Sequence, residues 1–277
     1  MKKQGCGFTR VGAKGMRDTS EPGTLSKVPE VTLVFWIIKI AATTLGETGG
    51  DSVTMTFNWG YLAGTALFLC LLIALVIAQI LVKKFHPFLY WATIVASTTF
   101  GTTMADFADR SLGIGYTGGS TLLFVSLIAM LGLWYWSEGT ISVNTVSTPK
   151  VEAFYWAAIT VSQTLGTALG DWMADTGGLG YGDGALVFAT GLAVVAGLYF
   201  WTSVSRVLLF WAAFILTRPM GATVGDLLDK PISHGGLALS RPLASAVIAA
   251  FIIVCVVVLP QRAGRHPGGS EAVTLGG

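Results

Sequence analysis

Residues 156–171 read WAAITVSQTLGTALGD, and this stretch decides the fold because its pattern occurs four times along the chain. A glycine stands ten residues after a tryptophan, a glycine or alanine stands four residues further on, and an aspartate follows at once. The matching positions are Trp36, Trp91, Trp156 and Trp211; Gly46, Gly101, Gly166 and Gly221; Gly50, Ala105, Gly170 and Gly225; and Asp51, Asp106, Asp171 and Asp226, the pattern aspartates. A spacing that recurs without a gap predicts four internal repeats.

The segments around this pattern indicate an integral membrane protein. Of the 277 residues, 53% are hydrophobic and 12% are charged, whereas a soluble domain carries about 25% charged residues. Eight segments are long and apolar enough for a helix to cross a bilayer. They predict an all-α protein with eight transmembrane helices, at residues 31–50, 61–82, 85–105, 121–136, 153–170, 185–203, 207–225 and 243–259.

Each repeat comprises a helix that carries the pattern, a glycine-rich connection and a second, more apolar helix. Two helices per repeat bring every repeat into the membrane from the same side, so the repeats are parallel and pseudo-symmetric about the membrane normal. We predict repeats at 31–84, 85–136, 151–204 and 205–260, a linker at 137–150, and flexible tails at 1–30 and 261–277.

The basic residues predict that both termini lie in the cytoplasm. Lysine and arginine concentrate in the N-terminal tail and in the connections after the even-numbered helices, and the other connections hold only Arg110, Lys230 and Arg241. Cytoplasmic loops of membrane proteins carry such an excess, and tryptophans gather at the interfaces. We therefore expect a cytoplasmic belt of Trp134, Trp136, Trp156, Trp201 and Trp211.

The Trp–Gly–Asp pattern resembles an uncharacterised bacterial membrane-protein family built from four tandem two-helix repeats, each with a characteristic tryptophan. Its members usually carry only the description "membrane-anchored protein". The resemblance covers roughly residues 31–259 and implies a location in the bacterial inner membrane. It implies no activity, so function has to be inferred from the residues.

The paired small residues predict that the first helix of each repeat lies inside the bundle, because small residues four positions apart let two helix backbones approach closely. The same helices carry polar side chains. Steps of four residues stay on one helix face, and steps back from the pattern aspartates reach Glu47 and Thr43, Thr102 and Thr98, Thr167 and Gln163, and Ala222 and Arg218. Lipid offers no partner to polar groups, so we expect these four stripes to converge on one axis.

The stripes are candidate walls of a transport pathway, because ionisable residues inside a membrane are functional candidates. The candidate residues are Asp51, Asp106, Asp171, Asp226, Glu47, Thr102, Gln163, Thr167 and Arg218. A second acid follows three of the pattern aspartates, and paired carboxylates suit a cation, so Asp106, Asp109, Asp171 and Asp175 are candidate cation ligands. Alternatively, these acids cap helices, pair with Arg110 or Lys230, or face external water.

The charges on the stripes predict an acidic interior that favours cations or protons. Glu47 and the four pattern aspartates stand against Arg218, which needs an acidic partner from a neighbouring stripe. Lys39 and Glu47 lie two helical turns apart, which is too far for a direct bond.

These observations predict a transporter or exporter of a small cation. A metal ion as the substrate and coupling to protons are both compatible with the sequence. Its partners are the lipid bilayer and the cation, and a homo-oligomer is compatible with the sequence. The net charge of +2 gives no broad basic surface for nucleic acid. Hydrolase, metalloprotease and nucleotide-binding motifs are missing, so we predict no enzyme and no cofactor. The alternatives are a pseudo-tetrameric ion channel and a non-transporting scaffold or sensor subunit.

Overall fold

The computed structural model describes residues 25–265, and its α-helices correspond to the eight segments expected from the sequence. They are α1 (Leu33–Asp51), α2 (Tyr61–Leu81), α3 (Pro87–Asp106), α4 (Tyr116–Glu138), α5 (Pro149–Asp171), α6 (Gly180–Trp201), α7 (Arg206–Asp229) and α8 (Arg241–Val258). Helices α4 and α6 begin five residues earlier than expected. Gly115 and Gly180, with φ of 78° and 71°, stand where these two helices begin, in a left-handed conformation that glycine adopts without strain.

Two short strands join the ends of the described chain. Strand β1 (Leu25–Pro29) pairs antiparallel with β2 (Ala263–Arg265), which corrects the prediction of flexible tails at both segments. Lys27 anchors β1, since its backbone N donates to Val146 O at 2.7 Å and its Nζ lies 2.6 Å from Glu152 Oε1. We call this strand pair the clasp. The rest of the two predicted tails, residues 1–24 and 266–277, lies outside the described residues.

The four helices that carry the pattern form a closed ring. Helix α1 packs against α3, α3 against α5, α5 against α7, and α7 against α1. The second helix of each repeat lies outside the ring against the first helix of the following repeat: α2 contacts α3, α4 contacts α5 and α6 contacts α7. Helix α8, the second helix of the fourth repeat, packs in the same way against α1 of the first repeat. Each repeat is therefore held by its neighbours on both sides.

The first glycine of each pattern sets the distance between neighbouring ring helices. A methyl group added at this glycine would collide with the polar residue eight positions before the aspartate of the next repeat. The colliding pairs are Gly46 with Thr98, Gly101 with Gln163, Gly166 with Arg218, and Gly221 with Thr43. Because equivalent residues meet at all four contacts, the ring helices run parallel and in register around one axis.

Polarity separates the ring helices α1, α3 and α5 from the helices outside the ring. Within the described residues, helices α2, α4, α6, α7 and α8 are long and apolar enough to cross a membrane. Helices α1, α3 and α5 span 19, 20 and 23 residues and carry polar stripes that face the ring interior. The outer helices expose apolar side chains instead, such as Leu122, Phe124 and Val125 of α4, as expected of a surface that faces lipid.

The tryptophans differ from the expected belt. Trp136 and Trp201 are each 85% exposed, whereas Trp134, Trp156 and Trp211 are buried. The buried rings pack against one another and against tyrosines, with the Trp134 and Trp211 centroids 5.9 Å apart. Trp156 and Trp211 lie on ring helices and Trp134 on the outer helix α4, so the indoles fill the space between helices at this end.

Candidate functional site

Equivalent residues of the ring helices form three polar layers along the axis. Each layer is separated from the next by four residues, which is about 6 Å along a helix. The aspartate layer holds the pattern aspartates, the middle layer holds Glu47, Thr102, Thr167 and Ala222, and the arginine layer holds Thr43, Thr98, Gln163 and Arg218. All twelve residues are buried.

Arg218 links all four repeats at the centre of the ring. Its Nη2 lies 3.0 Å from Glu47 Oε2, 2.6 Å from Thr102 Oγ1 and within hydrogen-bonding distance of the Thr167 hydroxyl. These three acceptors are the middle-layer residues of the other three repeats. Ala222 takes that position in the fourth repeat, and its small side chain leaves room for the guanidinium. Glu47 is thus the acidic partner that a neighbouring stripe was expected to supply.

Lys39 lies on the far side of Arg218 from the aspartates. Its Nζ donates to Gln163 Oε1 at 3.4 Å and lies 4.0 Å from the centre of the Phe214 ring. Lys39 and Glu47 form no direct bond, as their separation along α1 predicted. The amine contacts a polar side chain and an aromatic face instead.

Basic residues that follow the ring helices reach back to the aspartate layer. Lys230 Nζ lies 2.6 Å from Asp51 Oδ2 and 2.9 Å from Asp226 Oδ1. Arg110 Nε lies 2.9 Å from Asp106 Oδ1. Burial opposes the charge of Lys230, yet the carboxylates of Asp226, Asp51 and Asp229 raise its pKa well above the usual value. Lys230 is therefore an ammonium ion among carboxylates.

Asp171 differs from the other pattern aspartates. It is only 4% exposed, and within the described part of the chain it forms neither a hydrogen bond nor an ion pair. The positive charge of Arg110 acts on it only from beyond ion-pair distance, and a buried carboxylate that lacks a direct partner is costly. This makes Asp171 the pattern aspartate with the strongest need for a ligand or a proton.

The carboxylates form two triads. One oxygen each of Glu47, Asp171 and Asp226 lie within 4.8 Å of one another, and the same holds for Asp51, Asp226 and Asp229. We call these the first and the second triad, and Asp226 belongs to both. Carboxylate oxygens at such separations are the ligand set that Ca²⁺, Mg²⁺ and similar hard cations prefer.

The triads differ from the cation ligands selected from the sequence. Asp171 belongs to the first triad, but Asp106 pairs with Arg110 and Asp109 joins neither triad. Burial raises the pKa of Asp109, against the effect of nearby Arg110. The side chain of Asp175 lies outside the described part of the structure. Which acids meet depends on the rotation of each ring helix, and spacing along one helix does not contain that information.

The interior is less acidic than the stripes alone indicated, because three basic residues contact the acids. Arg110 and Lys230 pair with pattern aspartates, and Arg241 Nε lies 3.2 Å from Asp229 Oδ2. Six described acids then face three bases at this end, which leaves an excess of three acids: Asp51, Asp106, Asp109, Asp171, Asp226 and Asp229 against Arg110, Lys230 and Arg241. The remaining charge still favours cations.

A sequence signal for two of these bases exists. Arg110 and Lys230 each stand four residues after a pattern aspartate, and opposite charges at this spacing meet on a helix. Arg241 begins α8 and has no such signal.

The backbone beyond the aspartate layer differs between repeats. In the first three repeats the α-helix ends at the pattern aspartate and continues as a single π-helical turn, at Ser52–Thr56, Phe107–Ser111 and Trp172–Thr176. In the fourth repeat α7 continues regularly, and Lys230 N donates to Asp226 O at 2.9 Å. This regular turn places Lys230 directly beyond Asp226. π-Helical turns occur often at functional sites.

A cavity of about 460 Å³ opens beside the aspartate layer. Two of its lining residues, Arg110 and Lys230, are the ones that bind the pattern aspartates. The lining comprises Met55, Arg110, Tyr116, Tyr181, Lys230, Pro231 and Arg241. The cavity is thus lined by three basic residues, Arg110, Lys230 and Arg241, that contact acids at this end of the ring.

Aromatic side chains fill the opposite end of the ring. The hydroxyls of Tyr90 and Tyr155 lie 2.6 Å apart, and the Phe35 and Phe210 rings lie 6.2 Å apart. All four are buried, and we call them the aromatic layer. Beside it, Trp91 Nε1 donates to Gln261 Oε1 at 3.1 Å, which connects this layer to the segment that precedes β2.

Comparison with known proteins finds four tandem matches to the Repeat of Unknown Function (DUF347), at residues 34–85, 89–140, 154–205 and 209–261. Each match contains one ring helix and the outer helix that follows it. The four tandem repeats inferred from the Trp–Gly–Asp pattern are therefore confirmed. No curated protein and no solved structure matches the chain.

Proposed function

The chain belongs to the family of the Repeat of Unknown Function (DUF347), and we propose that it is a membrane carrier for a small cation. In this proposal all eight helices cross the bacterial inner membrane, and the ring axis lies along the membrane normal. Both termini are cytoplasmic, so the aromatic layer and the clasp face the cytoplasm and the aspartate layer faces outward. The excess of basic residues in the even-numbered connections supports this orientation.

The first triad carries the proposal. Glu47, Asp171 and Asp226 come from three different repeats, are buried, and place one oxygen each within 4.8 Å of the others. Three carboxylates gathered in a low-dielectric interior repel one another unless cations or protons neutralise them. Arg218 pairs with Glu47 and Lys230 pairs with Asp226, whereas Asp171 forms no ion pair with a described residue. A cation that binds between these oxygens supplies the missing charge.

The closed axis favours a carrier over a channel. Arg218 occupies the centre of the ring, and the buried aromatic layer follows on the far side of Lys39. A channel requires a continuous polar path, whereas a carrier binds its substrate in a site that is closed on one side. Pro219 removes a backbone hydrogen bond inside α7 next to Arg218 and provides a point at which that helix can bend.

A scaffold or sensor is the second candidate, and the ion pairs favour it. Asp51, Asp106 and Asp226 all contact basic side chains, as they would if carboxylates served only to assemble helices. Asp171 separates the two candidates, because a carboxylate that forms no described ion pair or hydrogen bond contributes little to assembly. Its removal should therefore affect transport and leave assembly intact.

Flux measurements with an Asp171 variant test the proposal. The purified protein is reconstituted in lipid vesicles and assayed with Na⁺, K⁺, Mg²⁺, Ca²⁺, Mn²⁺ and Zn²⁺. We expect Asp171→Asn to abolish the flux of the transported cation, because it removes one ligand and one negative charge. The matched control is Asp183→Asn, which alters an exposed acid outside the ring and should leave flux unchanged. Undiminished flux in Asp171→Asn at equal reconstitution would contradict the proposed site.

A further inference from the structure

The second triad already contains a positive charge that belongs to the protein. Lys230 Nζ lies 2.6 Å from Asp51 Oδ2 and 2.9 Å from Asp226 Oδ1, and these two acids and Asp229 are the second triad. An ammonium ion at these distances occupies the position that a bound metal or alkali cation would take between the same oxygens.

We propose that the second triad is a second cation site and that Lys230 is its tethered occupant, which a substrate cation must displace. The inference rests on the proposed function, because it names a competitor for the same cation. Lys230 would then set the affinity for cations and offset part of the negative charge of the empty site.

Unsatisfied oxygens support a ligand beyond the lysine. Asp51 Oδ1 and Asp229 Oδ1 are buried and have no hydrogen-bond partner among the described residues. Asp51 is fully buried and Asp229 is 6% exposed. Buried polar atoms without a partner carry an energetic cost, and an ammonium with three donors leaves these two oxygens unused. A cation with six or more oxygen ligands, such as Ca²⁺, can use them.

The cavity beside the aspartate layer can accept the displaced side chain of Lys230. Lys230 lines the cavity of about 460 Å³ beside the aspartate layer, and lysine carries its charge on a flexible four-carbon stem. Rotation of that stem moves the ammonium from the triad into the cavity. Arg241 Nε remains 3.2 Å from Asp229 Oδ2 and 3.8 Å from Asp51 Oδ2, so the triad does not lose all positive charge.

Asp226 connects the two triads. Because it belongs to both, a cation in the first triad competes with Lys230 for the same carboxylate and repels its charge. Binding in the first triad thus weakens the ion pair between Asp226 and Lys230 and makes it easier for a second cation to displace the lysine. The two sites are expected to fill together.

Cation titrations of a Lys230 variant test this inference. The full-length protein in detergent is titrated with each of the six cations named above, and binding is followed by the unfolding temperature and by isothermal calorimetry. We expect Lys230→Gln to bind the preferred cation at least about tenfold more tightly than the natural protein, because the competitor is gone. The control is Lys150→Gln, which removes an exposed lysine near the opposite end and should not alter affinity.

A second measurement avoids the variant altogether. In the natural protein, acetylation of Lys230 by an amine-reactive reagent is measured by mass spectrometry with and without saturating cation. We expect faster acetylation with cation, since displacement exposes the amine in the cavity. An unchanged rate, or unchanged or weaker binding in folded Lys230→Gln, would overturn the tethered-cation role.

The outcomes also separate this inference from the proposed function. If the natural protein binds and transports a cation but Lys230→Gln binds it no more tightly, then only the inference fails. If Asp171→Asn retains full flux while Lys230→Gln binds more tightly, then the transport site is wrong and the second triad stands. A natural protein that binds none of the six cations would contradict both.

Discussion

Arg218 fills the centre of the ring because the fourth repeat carries alanine where the other repeats carry glutamate or threonine. A larger residue at Ala222 would compete with the guanidinium for the same space. The exchange gives one long cation in place of a fourth short polar side chain, and it places that cation within hydrogen-bonding distance of Glu47, Thr102 and Thr167. A departure from the repeat at two positions thus changes the chemistry of the whole middle layer.

The Glu47–Arg218 pair is expected to be strongly coupled. Glu47→Gln alone leaves a buried guanidinium without its carboxylate and should cost about 3–5 kcal/mol of unfolding free energy. The double variant Glu47→Gln with Arg218→Met should lose less than the sum of the two single losses, because neither charge remains unpaired. Denaturant unfolding in detergent micelles measures the cycle. Strictly additive losses would show that the two charges do not depend on each other.

The residues of the site were more predictable than their pairing. Steps of four from each pattern aspartate identify Glu47, Thr102, Gln163, Thr167 and Arg218, since they require only the helical period. The contact of Asp226 with Asp51 and Glu47 joins repeats far apart in the chain, and the sequence of one helix does not specify which side chains meet across the axis. The sequence offered Lys230 as an alternative partner of the acids, but the spacing did not indicate that it contacts Asp51 of another repeat as well as Asp226.

At the scale of helices, the small residues of the pattern determine how closely neighbouring ring helices can pack. Gly221 faces Thr43 and Gly225 faces Glu47, so the contact that closes the ring between α7 and α1 depends on glycine at two successive turns. The paired small residues predict close packing from the sequence. They do not predict that each outer helix packs on the following repeat, because a two-helix repeat can equally well pack on itself.

Two glycine substitutions are expected to have opposite effects. Gly221→Ala places a methyl group against Thr43 and should destabilise the protein by about 1–3 kcal/mol, because the core must move to accept it. Gly132→Ala lies on the exposed face of α4 with open space around it and should stabilise by up to about 1 kcal/mol through helix propensity. Unfolding temperatures compare the two variants. Equal effects would mean that the ring contact at Gly221 is not close.

At the scale of the whole molecule, the two ends of the ring differ in kind. The aspartate end carries charged side chains beside a cavity, whereas the aromatic end is filled with rings and covered by the clasp. The sequence predicted the repeats, the helices and the polar axis, because each follows from a period. It did not predict the clasp, because two short strands that pair across almost the full length of the chain have no local signal.

If the protein is the carrier proposed above, then the two strands of the clasp should separate during each transport cycle. If the cation is released at the aromatic end, then Tyr90 and Tyr155 must separate. The strands β1 and β2, which cover this end, must then move as well. Leu25 and Arg265 are direct partners in the strand pair. Leu25→Cys with Arg265→Cys, in a chain whose Cys6, Cys70 and Cys255 are replaced by alanine, allows a disulfide to lock the clasp. Oxidation should then stop cation flux without abolishing cation binding, and reduction should restore flux.

The single variant Leu25→Cys, treated with the same oxidant, controls for damage and should keep its flux. A fully cross-linked protein that still transports would show that release does not pass beneath the clasp. Loss of binding together with flux would mean that the disulfide distorts the ring instead of blocking its opening. A carrier predicts that cation flux is lost while cation binding is retained. It opens its binding site to one side of the membrane at a time, and both ends must open in turn for the cation to cross.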